Sequence, residues 1–249
     1  MNAGGQSQNV FYYASGQPLG IVYGNRFVRS PQELTDNPAF VGNVGDYVVN
    51  PDGYVVLAST RGEPNEAPIK YVDADGNDQF VIGNVNPDFG FGIANTVSWR
   101  NFTVYALFSG LQGGDIYNFT RQWMYQDFRH ANQTQAGRAE DDKIALGFYS
   151  AGMYNGNVPN DHFVEDGSFV KLNELSVNYT FGPSLLSSIG ADRFISGAKI
   201  ALIGRNLYTW TDYSGFDPDV ASGGDFNFRI DGFRYPNFRQ FSGQIELTF

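Results

Sequence analysis

The chain has 249 residues and a formal net charge of −10, from 16 Lys and Arg against 26 Asp and Glu, and it has no cysteine. An acidic chain without clustered cations is a poor fit to a nucleic-acid groove, and the missing cysteines exclude disulfides, zinc fingers and thiol catalysis. Aromatic residues make up 16% of the chain and charged ones only 17%, so much Phe and Tyr must lie in a core or in lipid, which excludes a disordered chain.

No apolar run reaches the roughly 18 residues of a transmembrane helix. No charged-then-apolar leader opens the sequence. We therefore expect Met1 not to be the start of the functional polypeptide, and the chain to be a C-terminal piece of a longer one.

In chain order, residues 9–14 form a short aromatic strand candidate, and residues 19–28 form a second, broken at Gly24. Residues 31–88 are rich in Pro, Asn, Asp and Gly and read as a long structured loop rather than core. Its brief apolar stretches lie at 47–49 and 54–57. Residues 89–100 and 102–110 read as two strands around a tight turn near Asn101. Residues 113–142 lose the alternation and read as a second long loop, with a short helix within 116–131. Strands follow at 143–149, 169–181, 199–210 and 240–249.

The 169–181 strand places Leu175, Val177, Tyr179 and Phe181 on one face and Glu174, Ser176, Asn178 and Thr180 on the other. The last strand places Ile245, Leu247 and Phe249 opposite Gln244, Glu246 and Thr248. Aqueous antiparallel sheets alternate in the same way. Length favours a membrane, because 169–181 and 199–210 reach the roughly 9–11 residues that span a bilayer. Aromatics also sit at strand ends, at Tyr179, Phe181, Tyr208 and Trp210, where an interfacial girdle belongs.

Ordered blocks of the chain resemble TonB-dependent outer-membrane transporters of the SusC/RagA type. They are Gly16-Gln-Pro-Leu-Gly-Ile-Val-Tyr-Gly24, Tyr71-Val-Asp-Ala-Asp-Gly-Asn-Asp78, Ile82-Gly-Asn-Val-Asn-Pro-Asp-Phe-Gly-Phe-Gly92 and Gly113-Gly-Asp-Ile-Tyr-Asn118. The densest runs from Glu165 to Phe181, followed by Gly204 to Val220 and by Tyr235-Pro236. The resemblance implies an all-β fold: the C-terminal portion of a large antiparallel transmembrane β-barrel, 22-stranded in that family, with long extracellular loops. It also implies a bacterial outer-membrane location, surrounding lipid, a SusD-like surface lipoprotein and a TonB complex acting on the full-length parent, and a glycan or peptide substrate. The family's N-terminal plug and TonB-contacting segment have no counterpart in this sequence.

Chemistry-bearing patterns are sparse. Asp73, Asp75 and Asn77 have the spacing of the first three ligands of a calcium loop, but its twelfth position would be Asn84, which cannot chelate with two carboxylate oxygens, so a solvated acidic turn is the plainer reading. Asp217 and Asp219 flank Pro218, ordinary loop chemistry, and read as loop contacts to a ligand, a partner or a neighbouring loop rather than as a catalytic carboxylate pair. Trp123, Tyr125 and Phe128 could stack on a ligand or pack a loop. His130 and His162 lack any zinc spacing, and no nucleophile, base and orienter can be named, so no cofactor and no enzyme is expected. The rival class is a secreted all-β carbohydrate-binding or adhesive module. It requires the strand aliphatics and aromatics to converge on an enclosed core, whereas the barrel requires them to form an outward band with Ile245, Leu247 and Phe249 on the closing strand.

Overall fold

A computed structural model describes residues 15–219 and 229–249, so the strand expected at 9–14 lies outside the described residues. In chain order the strands are β1 (Ile21–Gly24), β2 (Tyr47–Val49), β3 (Val55–Leu57), β4 (Phe80–Asn84), β5 (Phe89–Trp99) and β6 (Phe102–Gln112). They continue as β7 (Asp115–Tyr117), β8 (Val164–Asp166), β9 (Phe169–Phe181), β10 (Gly197–Thr211) and β11 (Gln240–Thr248). Three short helices, α1 (Pro31–Thr35), α2 (Phe119–Gln126) and α3 (Pro183–Ser188), lie between them. No helix among the described residues is long and apolar enough to cross a membrane, which has no bearing on crossing by strands.

The chain divides into two compact units. Of the described residues, one gathers 15–86, 114–166, 219 and 229–234; the other gathers 87–113, 167–218 and 235–249.

The second unit is one antiparallel sheet in the order β11-β10-β9-β6-β5. Its two central strands have 13 and 15 residues, long enough to span a bilayer. The β5–β6 hairpin turns at Arg100 and Asn101, with Arg100 at φ 52°. A left-handed residue fits the twist that a tight hairpin needs. Gly110 is required by crowding, because a Cβ there would meet the Phe169 carbonyl and lie 2.7 Å from the Phe91 ring. The register shifts once along β9 and β10, between Arg205 and Tyr208, where Asn206 has φ 52°. This bulge keeps apolar side chains on one face across the whole sheet.

The first unit is made of two-stranded pieces, β1 with β4, β2 with β3, and β7 with β8, around a mostly aromatic core. Tyr54, Tyr117, Tyr125, Phe148, Tyr149 and Phe163 are fully or almost fully buried in it. Their rings meet edge to face, as Tyr125 does with Tyr149 (5.7 Å) and with Phe163 (5.2 Å). Each such pair adds about 0.5–1.5 kcal/mol beyond area burial. At Gly24 a Cβ would run into the Pro159 carbonyl, which accepts from the Asn25 N–H at 2.8 Å. That close approach ends β1, so the strand stops at the glycine instead of continuing to Val28.

Two expectations need correction here. Residues 31–88 are not merely loop: Leu34, Tyr54, Val55, Val56 and Val85 are buried core residues. Their contacts come from distant segments, which local composition does not register. The strand expected at 143–149 is absent; a π-helical turn covers Phe148–Met153 instead. The buried residues Ile144, Phe148, Tyr149 and Met153 recur at helical spacing, and Leu146 points to solvent.

Candidate functional site: an outward apolar face and a buried histidine cluster

Partners across the five-stranded sheet share a face, so the register sorts its side chains. One row reads Trp99, Phe102, Tyr179, Ile200 and Ile245. The next reads Val97, Val104, Val177, Leu202 and Gly243, and the third Asn95, Ala106, Leu175, Gly204 and Phe241. Beyond the bulge come Ile93, Phe108, Leu172 and Tyr208, then Phe91, Gly110, Val170 and Trp210. Apart from Asn95, this face is apolar.

It is also open. Trp99 is 64% exposed, Leu202 66% and Ile245 71%. Isolated exposed apolar residues are ordinary on a soluble protein, but a continuous sheet face of them is not. From the Trp99–Phe102 row to the Phe89–Gln112 row is ten residues of β6. That is about 33 Å at roughly 3.3 Å per residue, and a strand tilt of about 40° reduces it to about 25 Å, the height of a lipid-facing band.

Aromatic side chains mark both ends of this band. Phe102 and Tyr179 lie 4.7 Å apart at one end, and Tyr208 and Trp210 lie 4.7 Å apart at the other. The enclosed core that the secreted-module reading required is not found on this sheet.

The opposite face carries Ser98, Thr103, Asn178 and Gln244 in one row, and Glu174, Arg205 and Gln240 in another. Arg205 and Glu174 form an ion pair at 2.8 Å. Lys171, almost fully buried, pairs with Asp217 at 3.2 Å, and the Asn237 side-chain amide donates to the same carboxylate at 3.2 Å. Asp217 is therefore a buried structural partner rather than a free loop contact. Asp219 is half-buried and falls in the other unit.

The other sequence-predicted residues do not converge. The two oxygens of Asp73 accept from the backbone N–H groups of Asp75 (3.0 Å) and Asn77 (2.8 Å) and from the Asn77 amide (3.0 Å). These donors, the Asn77 side chain first, hold the Asp73 carboxyl below its usual range. Among the described residues no group of three or more His, Asp or Glu side chains is arranged to hold a metal ion.

Trp123 and Tyr125 lie on α2, which Asn118 caps by accepting from the Arg121 N–H at 2.9 Å. The pair was expected as ligand-stacking or packing residues, and the fold gives them packing roles. Tyr125 is fully buried, and Trp123 packs against Phe119 and Tyr154. Only Phe128, at φ 55°, is exposed. On the closing strand Ile245, Leu247 and Phe249 are all exposed, as a strand facing lipid requires.

The cluster that sequence patterns missed is built on His162. The Arg121 Nη2 lies 3.2 Å from His162 Nε2, and the Tyr125 hydroxyl lies 2.9 Å from it. Guanidinium groups only donate, so Nε2 is the acceptor and Nδ1 carries the proton, which it donates to the Tyr54 hydroxyl. Arg121 also pairs with Glu165 at 3.0 Å. Arg29 stacks 4.0 Å over the Tyr54 ring and reaches Asp161 at 3.5 Å. Burial, then the nearby Arg121 and Arg29 cations, push His162 well below the ordinary imidazole range. Burial raises the Tyr54 hydroxyl and the Asp161 carboxyl. The cluster is largely buried, and its hydrogen bonds and ion pairs tie segments of a loop-rich unit together.

No family model matches the chain. Among curated proteins it is 28% identical over 220 residues to a TonB-dependent receptor P3 of Formosa agariphila, covering 80% of this chain and 20% of that protein. It is 24% identical over 205 residues to the TonB-dependent receptor SusC of Bacteroides thetaiotaomicron, covering 75% of this chain and 18% of that protein. The chain thus spans about a fifth of the length of these relatives. A solved structure of the RagAB peptide transporter superposes with a TM-score of 0.62 at 21% identity, over 98% of this chain and 24% of its own. The RagAB peptide importer in its open-open state gives 0.60 over the whole chain. The similarity to SusC/RagA-type TonB-dependent receptors covers most of the sequence, and the fold is that of part of their barrel.

Proposed function

We propose that this chain is a five-strand stretch of barrel wall, with its long connecting segments, from the C-terminal part of a SusC/RagA-like TonB-dependent importer in a bacterial outer membrane. The observation that carries this reading is the outward apolar face, with aromatic rows at both ends and a polar face behind it. Its curated relatives are named as receptors, and none of the similarities points to an enzyme.

In this reading the apolar face meets lipid and the face with Glu174, Arg205 and Gln244 meets the wet interior. β5 joins β6 by a tight turn and β9 joins β10 through residues 182–196, whereas β6 runs to β9 through 113–168 and β10 to β11 through 212–239, which are much longer connections in the sequence. Short turns belong on the periplasmic side and long loops outside. The complete protein would take up oligosaccharides, peptides or similar nutrients too large for porins. A SusD-like surface lipoprotein would cover it, and the TonB complex would drive gating through parts outside this sequence.

Fractionation of cells making the full-length protein tests the reading. Recovery in the outer-membrane fraction, released only by detergent, is expected. Recovery in the soluble fraction without detergent overturns it.

A further inference from the structure

A groove of about 390 Å³ lies on the apolar face where the Val177–Leu202–Gly243 and Leu175–Gly204–Phe241 rows run side by side. Its size falls within the roughly 300–1,000 Å³ of small-molecule sites. Leu175, Val177, Leu202 and Phe241 wall it, and the two glycines form its floor.

The glycines differ in their reasons. At Gly204 an added Cβ would lie 2.7 Å from Leu207 Cδ2, so Leu207 folds over the backbone and closes the groove at the bulge. At Gly243 an added Cβ meets nothing within 4 Å. That strand position is not crowded by its own sheet; its missing side chain leaves space.

We propose that this groove seats one acyl chain of a membrane phospholipid, an inference that rests on the lipid-facing reading of the sheet. The lining is almost wholly hydrocarbon, so it recognises a chain and not a headgroup. The groove runs from two to four residues along the strands from the Trp99 row, which at a tilt of about 40° is about 5–10 Å in depth. It therefore sits at hydrocarbon depth, continuous with the surface that lipid already covers. A flat face of the same composition contacts lipid only in passing. A concave site walled on both sides removes more of the chain's surface from competing contacts and holds one lipid longer.

Native mass spectrometry of the full-length protein tests this, after exchange into detergent containing palmitoyl-oleoyl-phosphatidylethanolamine. The wild type is expected to retain a single-lipid adduct. Gly243→Leu, which fills the groove, should reduce that adduct about tenfold, whereas Ile245→Ala, on the same face but outside the groove, should leave it unchanged. Val177→Trp fills the groove from β9 and replaces Gly243→Leu if that variant does not assemble. Equal adducts in the wild type and the groove-filling variants overturn the proposal. Recovery of the wild type in the soluble fraction removes the membrane reading itself, and is thereby distinguished from failure of the groove alone.

Discussion

The Tyr125 hydroxyl lies 2.9 Å from Nε2 of His162, on the same ring nitrogen that faces the Arg121 guanidinium at 3.2 Å. A proton added at Nε2 would meet a fixed cation in a buried site. His162 is therefore held neutral, with its folded pKa below that of the unfolded chain, which is about 6.5. Its contribution to stability is complete above about pH 6.5 and is lost as pH falls below it, because the unfolded state binds the proton first. Asp161 has the opposite sign: burial raises its carboxyl, so over the window that runs upward from the unfolded value near 3.9 its contribution grows as pH falls and works against the His162 loss. We expect the thermal midpoint of the detergent-solubilised protein to drop between pH 7.5 and 5.5, with His162 contributing at most about 1.4 kcal/mol of lost stability per pH unit and His130, which burial also lowers, adding a loss of the same sign. His162→Gln should flatten that slope; an unchanged slope would assign it elsewhere.

Tyr149 donates its hydroxyl to Asp52 at 2.6 Å, and Arg138 pairs with the other oxygen of that carboxylate at 2.9 Å. Tyr149→Phe keeps the ring and leaves one Asp52 oxygen without its donor. A loss of about 1.5–3 kcal/mol is expected from chemical denaturation, as for a hydrogen bond to a charged group.

Lys171→Ala removes the cation that pairs with the buried Asp217 carboxylate, to which Asn237 also donates. Removing one partner of a buried pair costs about 3–5 kcal/mol, more than the pair itself contributes. The double variant Lys171→Met with Asp217→Leu should recover most of that loss. A melting series of the three variants in detergent measures it.

How much of this was legible depends on the range of the forces involved. Strands β5, β6, β9, β10 and β11 follow from alternation and length, which are local, and their ends fall within three residues of the expected ones. The His162 cluster draws on Arg29, Tyr54, Arg121 and Glu165, and the Lys171–Asp217 pair joins residues 46 apart. Nothing in the neighbourhood of either pair in the sequence announces the other partner. Tyr125 is a similar case: an aromatic in a segment without alternation reads as loop until Tyr149 and Phe163 arrive from elsewhere to bury it.

The two faces of β9 and β10 should respond differently to charge. Leu202→Arg, on the apolar face two residues inside the Trp99 row, should reduce assembly in the outer membrane, at a cost between the about 0–1 kcal/mol of the interface and the about 2–4 kcal/mol of the bilayer midplane. Asn178→Arg, on the polar face, should assemble close to wild-type levels. Heat-modifiable mobility of the folded protein on gels reads both.

The most direct test of the lipid-facing assignment uses single cysteines, for which this sequence supplies a background without native thiols. Cysteines placed at Val177, Leu202 and Ile245, and at Asn178, Thr180 and Gln244, in the full-length protein in outer membranes would be exposed to a membrane-impermeant maleimide. The first three should stay unlabelled while a membrane-soluble maleimide reacts with them, and the second three should be labelled from the aqueous side. Labelling of Val177, Leu202 and Ile245 by the impermeant reagent would contradict the account.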